Sequence, residues 1–169
     1  MVDLRSCVNS PSLRLPLDRK AHQELKVPFT MTNEAESPTT KFLAAQTFAV
    51  AGASRDRSKY GNRVFQALVR SGRRVFPLNP SAREVEGHLA YATIVDLPEV
   101  PESLSIVTPP QITREIIRQA IEAGVQNIWM QPGAEDAVGS KLAREAGLNV
   151  IDDGSCVLVL LAIEGRDER

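Results

Sequence analysis

Thr47-Phe48-Ala49-Val50-Ala51-Gly52-Ala53-Ser54 opens with an uncharged run of five residues that meets a glycine. A short apolar run stopped by Gly is the signature of a buried strand ending in a turn. Beyond the turn, Val64, Phe65, Leu68 and Val69 recur at helical spacing across residues 60–71, and Gly72 closes them. The segment therefore reads as strand, glycine turn and helix.

The same unit repeats downstream. Strands are predicted at 75–78, stopped by Asn79 and Pro80, and at 104–107, stopped by Pro109 and Pro110. Two more are predicted at 125–130 and 148–151. Helices are predicted at 111–123, with Ile112, Ile116, Ile117, Ala120 and Ile121 on one face, and at 134–146, with Val138, Leu142 and Ala146 on one face. Residues 155–163 form an apolar, helical finish, and the gap from 79 to 103 holds a short strand near Leu89. Repeated β–α units imply an α/β fold: a single doubly wound, Rossmann-like domain with a mostly parallel sheet of five or slightly more strands and helices on both faces. Such sheets bind ligands beyond the carboxyl ends of their strands, which points to the loops 52–62, 79–83, 108–111, 131–134 and 152–156.

Upstream the character differs. Residues 1–37 hold no glycine, carry Pro11, Pro16 and Pro28, and mix five basic with five acidic side chains. They read as a disordered or loosely attached extension, without the apolar stretch of a signal peptide, and Met31 is an alternative start. The domain proper is expected over 38–169, beginning with a short helix at 39–45 that Ser37 caps and Pro38 opens.

Composition narrows the function. Hydrophobic residues make up 43% of the 169 and charged residues 24%, as in an ordinary globular domain. A net charge of −1 argues against a nucleic-acid coat or a polybasic membrane binder. No apolar run approaches the roughly 18–20 residues of a membrane span, and the expected location is cytoplasmic. Cys7 and Cys156 are the only cysteines and His22 and His88 the only histidines, so a disulfide scaffold or an ordinary zinc motif is excluded and no metal site is expected.

The first loop has the outline of an anion site. Gly52 permits a turn and close approach of a ligand, and the following helix offers free amides at its positive end. Ser54 and Arg57 stand where a G-x-G-x-x-G fingerprint has glycines, and no Walker A loop is present. From Gly52 to Pro80 there are seven basic side chains, Arg55, Arg57, Lys59, Arg63, Arg70, Arg73 and Arg74, against the single acid Asp56. That excess suits a ligand with several phosphates. At the end of the second strand, where an NAD site carries a carboxylate, the sequence is Phe76-Pro77-Leu78-Asn79-Pro80, with Arg83 nearby. This weakens NAD and leaves NADP and coenzyme A open.

Three blocks, Phe48 to Ser54, Tyr60-Gly61-Asn62 and Val75 to Pro80, resemble the coenzyme A-binding protein family, stand-alone Rossmann-like domains similar to the nucleotide-binding domain of the succinyl-CoA synthetase α subunit. Tyr91-Ala92-Thr93-Ile94, Ile128-Trp129-Met130-Gln131-Pro132-Gly133-Ala134 and Asp152-Asp153-Gly154-Ser155-Cys156 resemble the family's later blocks, so the likeness covers about residues 39–162. The resemblance implies that Gly52, Ala53, Ser54, Lys59, Tyr60, Gly61 and Asn62 surround the pyrophosphate and pantetheine end. It implies that Asn79 and Pro80 lie beside the adenosine, that Thr108 and Pro109 bound the cleft, and that Gln131, Gly133 and Ala134 line it. The chain departs from the family at Thr108-Pro109, where an aromatic and a basic residue are common.

No catalytic dyad or triad is recognisable, and too few residues follow 163 to encode the other domains of a ligase. His88 is expected at the surface. Cys156 is expected to be a buried, inert thiol, although a helix N-terminus would make it reactive. Trp129 and Gln131 are equally suited to ligand contact and to the core. The favoured function is binding of coenzyme A or an acyl-CoA, non-catalytic on its own. Ser54 with Arg57 or Lys59 would neutralise the phosphates, and Asn79 and Arg83 would face the adenosine. The alternatives are an NADP-dependent reductase or nucleotide-sensing domain, and a nucleic-acid or protein-interaction module. A small-molecule ligand is the expected partner. No nucleic acid or membrane is expected, and a protein partner or a second copy stays open.

Overall fold

In the computed structural model, residues 36–167 are described, so the extension expected over 1–37 lies almost wholly outside the described residues. In chain order the elements are α1 (Pro38–Leu43), β1 (Thr47–Ala51), α2 (Tyr60–Arg70), β2 (Arg74–Leu78), β3 (Glu84–Val85), β4 (His88–Leu89), a 3-10 turn (Ile94–Asp96), β5 (Ser103–Ile106), α3 (Pro110–Ala123), β6 (Asn127–Met130), α4 (Ala137–Glu145), β7 (Asn149–Ile151) and α5 (Val157–Asp167). Five strands form an all-parallel sheet in the order β2-β1-β5-β6-β7, and β3 and β4 form a separate antiparallel hairpin.

The side chains of β1 alternate between two cores. Ala49 and Ala51 face the layer that holds Ile117 and Ala120 of α3 and Ala143 of α4. Phe48 and Val50 face the layer that holds Phe42 of α1, Val64, Phe65 and Leu68 of α2, and Val157 of α5. Strands covered on both faces bury every residue, as β5 and β6 do. Pro77 is tolerated because β2 is an edge strand, and the edge is partly closed by Tyr91, whose N–H donates to Pro77 O at 3.0 Å.

Ser37 caps α1 by accepting from Thr40 N, and Pro38 occupies its first turn. The short helix is held by its single buried side chain. Phe42 meets Trp129 edge-on at 5.2 Å and Phe48 at 5.6 Å, and its carbonyl accepts from Ser103 Oγ at 2.9 Å. Truncating such a core aromatic costs ~3–5 kcal/mol.

Two helix faces differ from expectation. On α4 the buried residues are Gly139, Ser140 and Ala143, while Val138 is half exposed and Ala146 is exposed. The reason is close packing against α3: Ile117 fills the space over Gly139, where a Cβ would meet Ile117 Cδ1 at 2.7 Å. On α3, Ile117 and Ala120 are buried with Thr113, but Ile112 is 54% exposed.

The direction of winding positions the site. The chain leaves β1 to β2 through α2 on one face, then crosses back to β5 on the other side of β1, and α3 and α4 cover the opposite face. The order reverses between β1 and β5. Loops on either side of that point diverge and leave a crevice at the carboxyl ends of the strands.

Candidate functional site

The turn after β1 is shaped by two glycines. Gly52 has φ +87°, and a Cβ there would approach Val107 O at 2.9 Å. Its N–H donates to Leu78 O at 3.1 Å, which ties the turn to β2. Gly61, in the first turn of α2, faces the carbonyl oxygen of Gly52 so closely that no Cβ fits. It does the work of the third glycine of a dinucleotide fingerprint, letting helix and strand approach. Its distance along the chain hides it from the standard spacing.

The loop between them is held by its own polar groups. Ser54 Oγ accepts from Asp56 N at 3.1 Å, and Asp56 Oδ1 accepts from Ser58 N at 2.9 Å and Ser58 Oγ at 2.7 Å. The two bonds from Ser58 hold the Asp56 carboxyl below the usual carboxylate range, with the Ser58 hydroxyl the largest cause. Asn62, fully buried, donates to Ser54 O at 2.7 Å and to Glu86 Oε1 at 2.9 Å. Asn79 Nδ2 donates to Ala53 O at 2.7 Å. The α2 helix begins at Lys59 with no side-chain cap. Its first-turn amides and dipole therefore face the loop uncompensated.

The crevice is an apolar cleft of about 390 Å³ lined by Ala51, Gly52, Leu78, Asn79, Pro80, Ala92, Thr93, Ile94, Thr108, Ile112, Glu115, Ile116 and Gln119. Of the expected site residues, Gly52, Asn79, Pro80 and Thr108 meet there. Ala92 to Ile94 and the α3 residues were not anticipated. The sequence places Ile112 and Ile116 only on the apolar face of α3, and such a face looks the same whether it meets a sheet or a ligand. Beside the cleft lies a more polar groove lined by Arg55, Arg57, Ser81, Arg83, Glu84, Glu86 and Gly87.

Charge is distributed differently from the sequence expectation. Arg57 makes a two-pronged pair with Glu86, Nε to Oε1 at 3.0 Å and an Nη to Oε2 at 2.7 Å. That pairing is the largest cause holding the Glu86 carboxyl below its ordinary range. Arg73 pairs with Glu164 and Arg74 with Glu99. Acids from distant segments thus balance part of the basic run. Arg55, Lys59 and Arg83 have no ion pair among the described residues.

The remaining expected residues sit apart from the cleft. Ala53 is fully buried under the loop, and Ala134 is in the α3/α4 core. Pro109 is the exposed N-cap of α3. Gly133, at φ +91°, is exposed and donates its N–H to Glu135 Oε2 at 2.7 Å. Trp129 is core: it is fully buried and donates Nε1–H to Ser155 O at 3.1 Å. Gln131 is also fully buried, and its Oε1 accepts from Tyr60 Oη at 3.2 Å and Val157 N at 3.0 Å. Tyr60 Oη lies 2.7 Å from Cys156 Sγ. Burial and this sulfur push the Tyr60 phenol well above its ordinary range. Cys156 is partly exposed, not buried.

A doubly wound parallel sheet with a glycine turn and an uncapped helix at its switch point defines the Rossmann-like class of α/β domains. Within that class the chain belongs to the CoA binding domain family, whose model matches residues 46–162. It is 30% identical over 105 residues to the acetate–CoA ligase [ADP-forming] II subunit alpha of Pyrococcus furiosus, covering 62% of this chain and 23% of that one. Among solved structures it is similar to a conserved hypothetical protein from Pyrococcus furiosus, with TM-score 0.64, 33% identity, and coverage of 68% of this chain and 97% of that one. It also resembles the dinucleotide forming acetyl-coenzyme A synthetase 1 of Ca. Korarchaeum cryptofilum, with TM-score 0.56, 26% identity, and coverage of 64% and 26%. The chain thus spans about a quarter or less of the curated ligases it matches. No helix among the described residues is long and apolar enough to cross a membrane.

Proposed function

We propose that the chain binds coenzyme A or an acyl-CoA in the crevice between β1, β2 and β5. The observation that carries this reading is the junction at Gly52, which belongs both to the uncapped phosphate turn and to the wall of the 390 Å³ apolar cleft. A ligand with a flat apolar group and several phosphates needs both in one place.

The residues present fit such a ligand. The Gly52–Gly61 contact brings the start of α2 against the end of β1, and the α2 amides supply donors for a pyrophosphate. Lys59, Arg55 and Arg83 supply cations not spent on carboxylates. Pro80, Ile94, Ile112 and Ile116 supply apolar walls for a base, with Asn79 and Thr108 at the rim. When bound, coenzyme A contributes a thiol that carries acyl groups as thioesters. Membership of the CoA binding domain family supports the choice of coenzyme A over NADP.

Calorimetry of the full chain under reducing conditions with CoA, acetyl-CoA, NAD and NADP tests the reading. Binding of CoA or acetyl-CoA with little for either dinucleotide is expected. Ligand at about 100 times its Kd should add ~2.7 kcal/mol of stability in a parallel thermal melt. Binding of NADP alone would transfer the site to a reductase or nucleotide sensor. No binding of any of the four would remove the reading.

A further inference from the structure

We propose that Cys156 is a thiol-exchange residue of the CoA site, forming a mixed disulfide with the thiol end of a coenzyme A ligand. The inference rests on the proposed binding function and extends it to covalent chemistry.

Four features single out this thiol. Cys156 immediately precedes α5, and its carbonyl accepts from Val159 N at 3.1 Å, so its side chain stands at the start of that helix. It is partly exposed, as a reacting sulfur must be. Its Sγ is 2.7 Å from Tyr60 Oη. Tyr60 opens α2, the helix whose start forms the phosphate turn, so the thiol is one tyrosine side chain away from that turn.

Hydrogen bonds hold the residues on either side of Cys156, and one of the side chains that makes them keeps an unused donor. Trp129 Nε1–H holds the Ser155 carbonyl at 3.1 Å. Val157 N–H donates to Gln131 Oε1 at 3.0 Å, which sets the orientation of that amide. The other half of the amide, Gln131 Nε2, is completely buried and has no acceptor among the described residues. A buried donor without a partner is rare and costly. Here it sits on the side chain that also contacts Tyr60, beside the thiol.

Tyr60 can serve both states of the sulfur. With a neutral thiol, the phenol donates to Gln131 Oε1 and accepts from the S–H. With a thiolate, the phenol turns its proton to the sulfur, and it keeps that proton because burial opposes its ionisation. The exchange needs no outside oxidant when the incoming molecule is a disulfide. The Cys156 proton leaves to solvent and the thiolate attacks one sulfur of CoA disulfide. A Cys156–S–S–CoA bond forms as the original S–S bond breaks. The departing CoA thiolate takes a proton from solvent.

The test uses the full chain, reduced and then freed of reductant, with CoA disulfide or glutathione disulfide at equal concentration. Intact mass and peptide mapping follow the modification, and mapping separates Cys156 from Cys7. One CoA equivalent on Cys156 is expected, at least roughly tenfold faster than the glutathione adduct and saturating with CoA disulfide. Tyr60→Phe, which keeps the ring, should slow the reaction roughly tenfold by removing the donor to the thiolate. No adduct at Cys156, or equal rates with the two disulfides, overturns the inference. Calorimetry with CoA in reductant separates the failures: binding without modification leaves the binding function standing, and loss of both removes both.

Discussion

Gly61 is pressed against the carbonyl oxygen of Gly52, across nine positions of sequence, with no room for a Cβ between them. The contact joins the start of α2 to the end of β1 and sets the width of the turn between them. Gly61→Ala must push helix and strand apart. We expect a loss of about 1–3 kcal/mol in chemical denaturation, the usual cost of overpacking. Gly165→Ala is the control, because its added Cβ meets nothing within 4 Å, and it should be neutral or slightly stabilising as a helix substitution. Equal effects at the two positions would remove the packing role.

Gly52 is a poor probe of binding, because its φ of +87° and the 2.9 Å approach to Val107 O make any side chain there a folding defect. Binding is better tested through charges that the fold does not use. Arg55→Ala and Lys59→Ala should each weaken CoA about three- to tenfold while leaving the Tm unchanged, because neither side chain has an ion pair among the described residues. The effect should shrink between low and physiological salt. Calorimetry at two ionic strengths checks this, and unchanged affinity in both variants would place the phosphates elsewhere.

The architecture was legible because its punctuation is local. Gly52, Gly72, Gly124 and Gly147 all adopt positive φ where the sequence pattern stops a strand or helix. The five parallel strands follow from that spacing. The glycine turn after β1 is legible for the same reason, and four of the expected residues, Gly52, Asn79, Pro80 and Thr108, line the cleft. What escaped is long-range. Arg57 and Glu86 lie 29 residues apart, and Tyr60 and Cys156 lie 96 apart, so no periodicity connects them. Helical period puts Ile112 on the apolar face of α3 without reporting what covers it, and the structure places it at the cleft. The small face of α4 was missed because Gly139 and Ser140 carry too little hydrophobicity to mark a stripe, although close helix packing requires such residues.

Glu86 occupies a place that a phosphate would contest. It sits at positive φ in the β3–β4 turn, and its carboxylate accepts from both Arg57 and Asn62 beside the phosphate loop. Glu86→Gln removes that negative charge, keeps an acceptor for Asn62 and frees Arg57 to meet a ligand. CoA should bind about two- to fivefold more tightly in the variant. Weaker binding would instead show that the pair organises the loop.

Asp136 links α3 to α4. It caps α4 by accepting from Gly139 N at 2.6 Å, and it receives Arg114 Nε at 3.0 Å and an Arg114 Nη at 2.7 Å. The Arg114 guanidinium is the main cause that holds its carboxyl below the ordinary range. A carboxylate with a lowered folded-state pKa stabilises the fold above its unfolded value of ~3.9 and loses that contribution as pH falls through the folded value. Asp136→Asn cannot titrate, so its Tm should lie roughly 3–6 °C below the parent at pH 7. The gap should close progressively below about pH 4, as the parent protonates and the variant does not. Thermal melts of both proteins from pH 7 to pH 3 read this directly. A gap that stays constant across the range would mean that Asp136 acts through shape and hydrogen bonding alone, with no contribution from its charge.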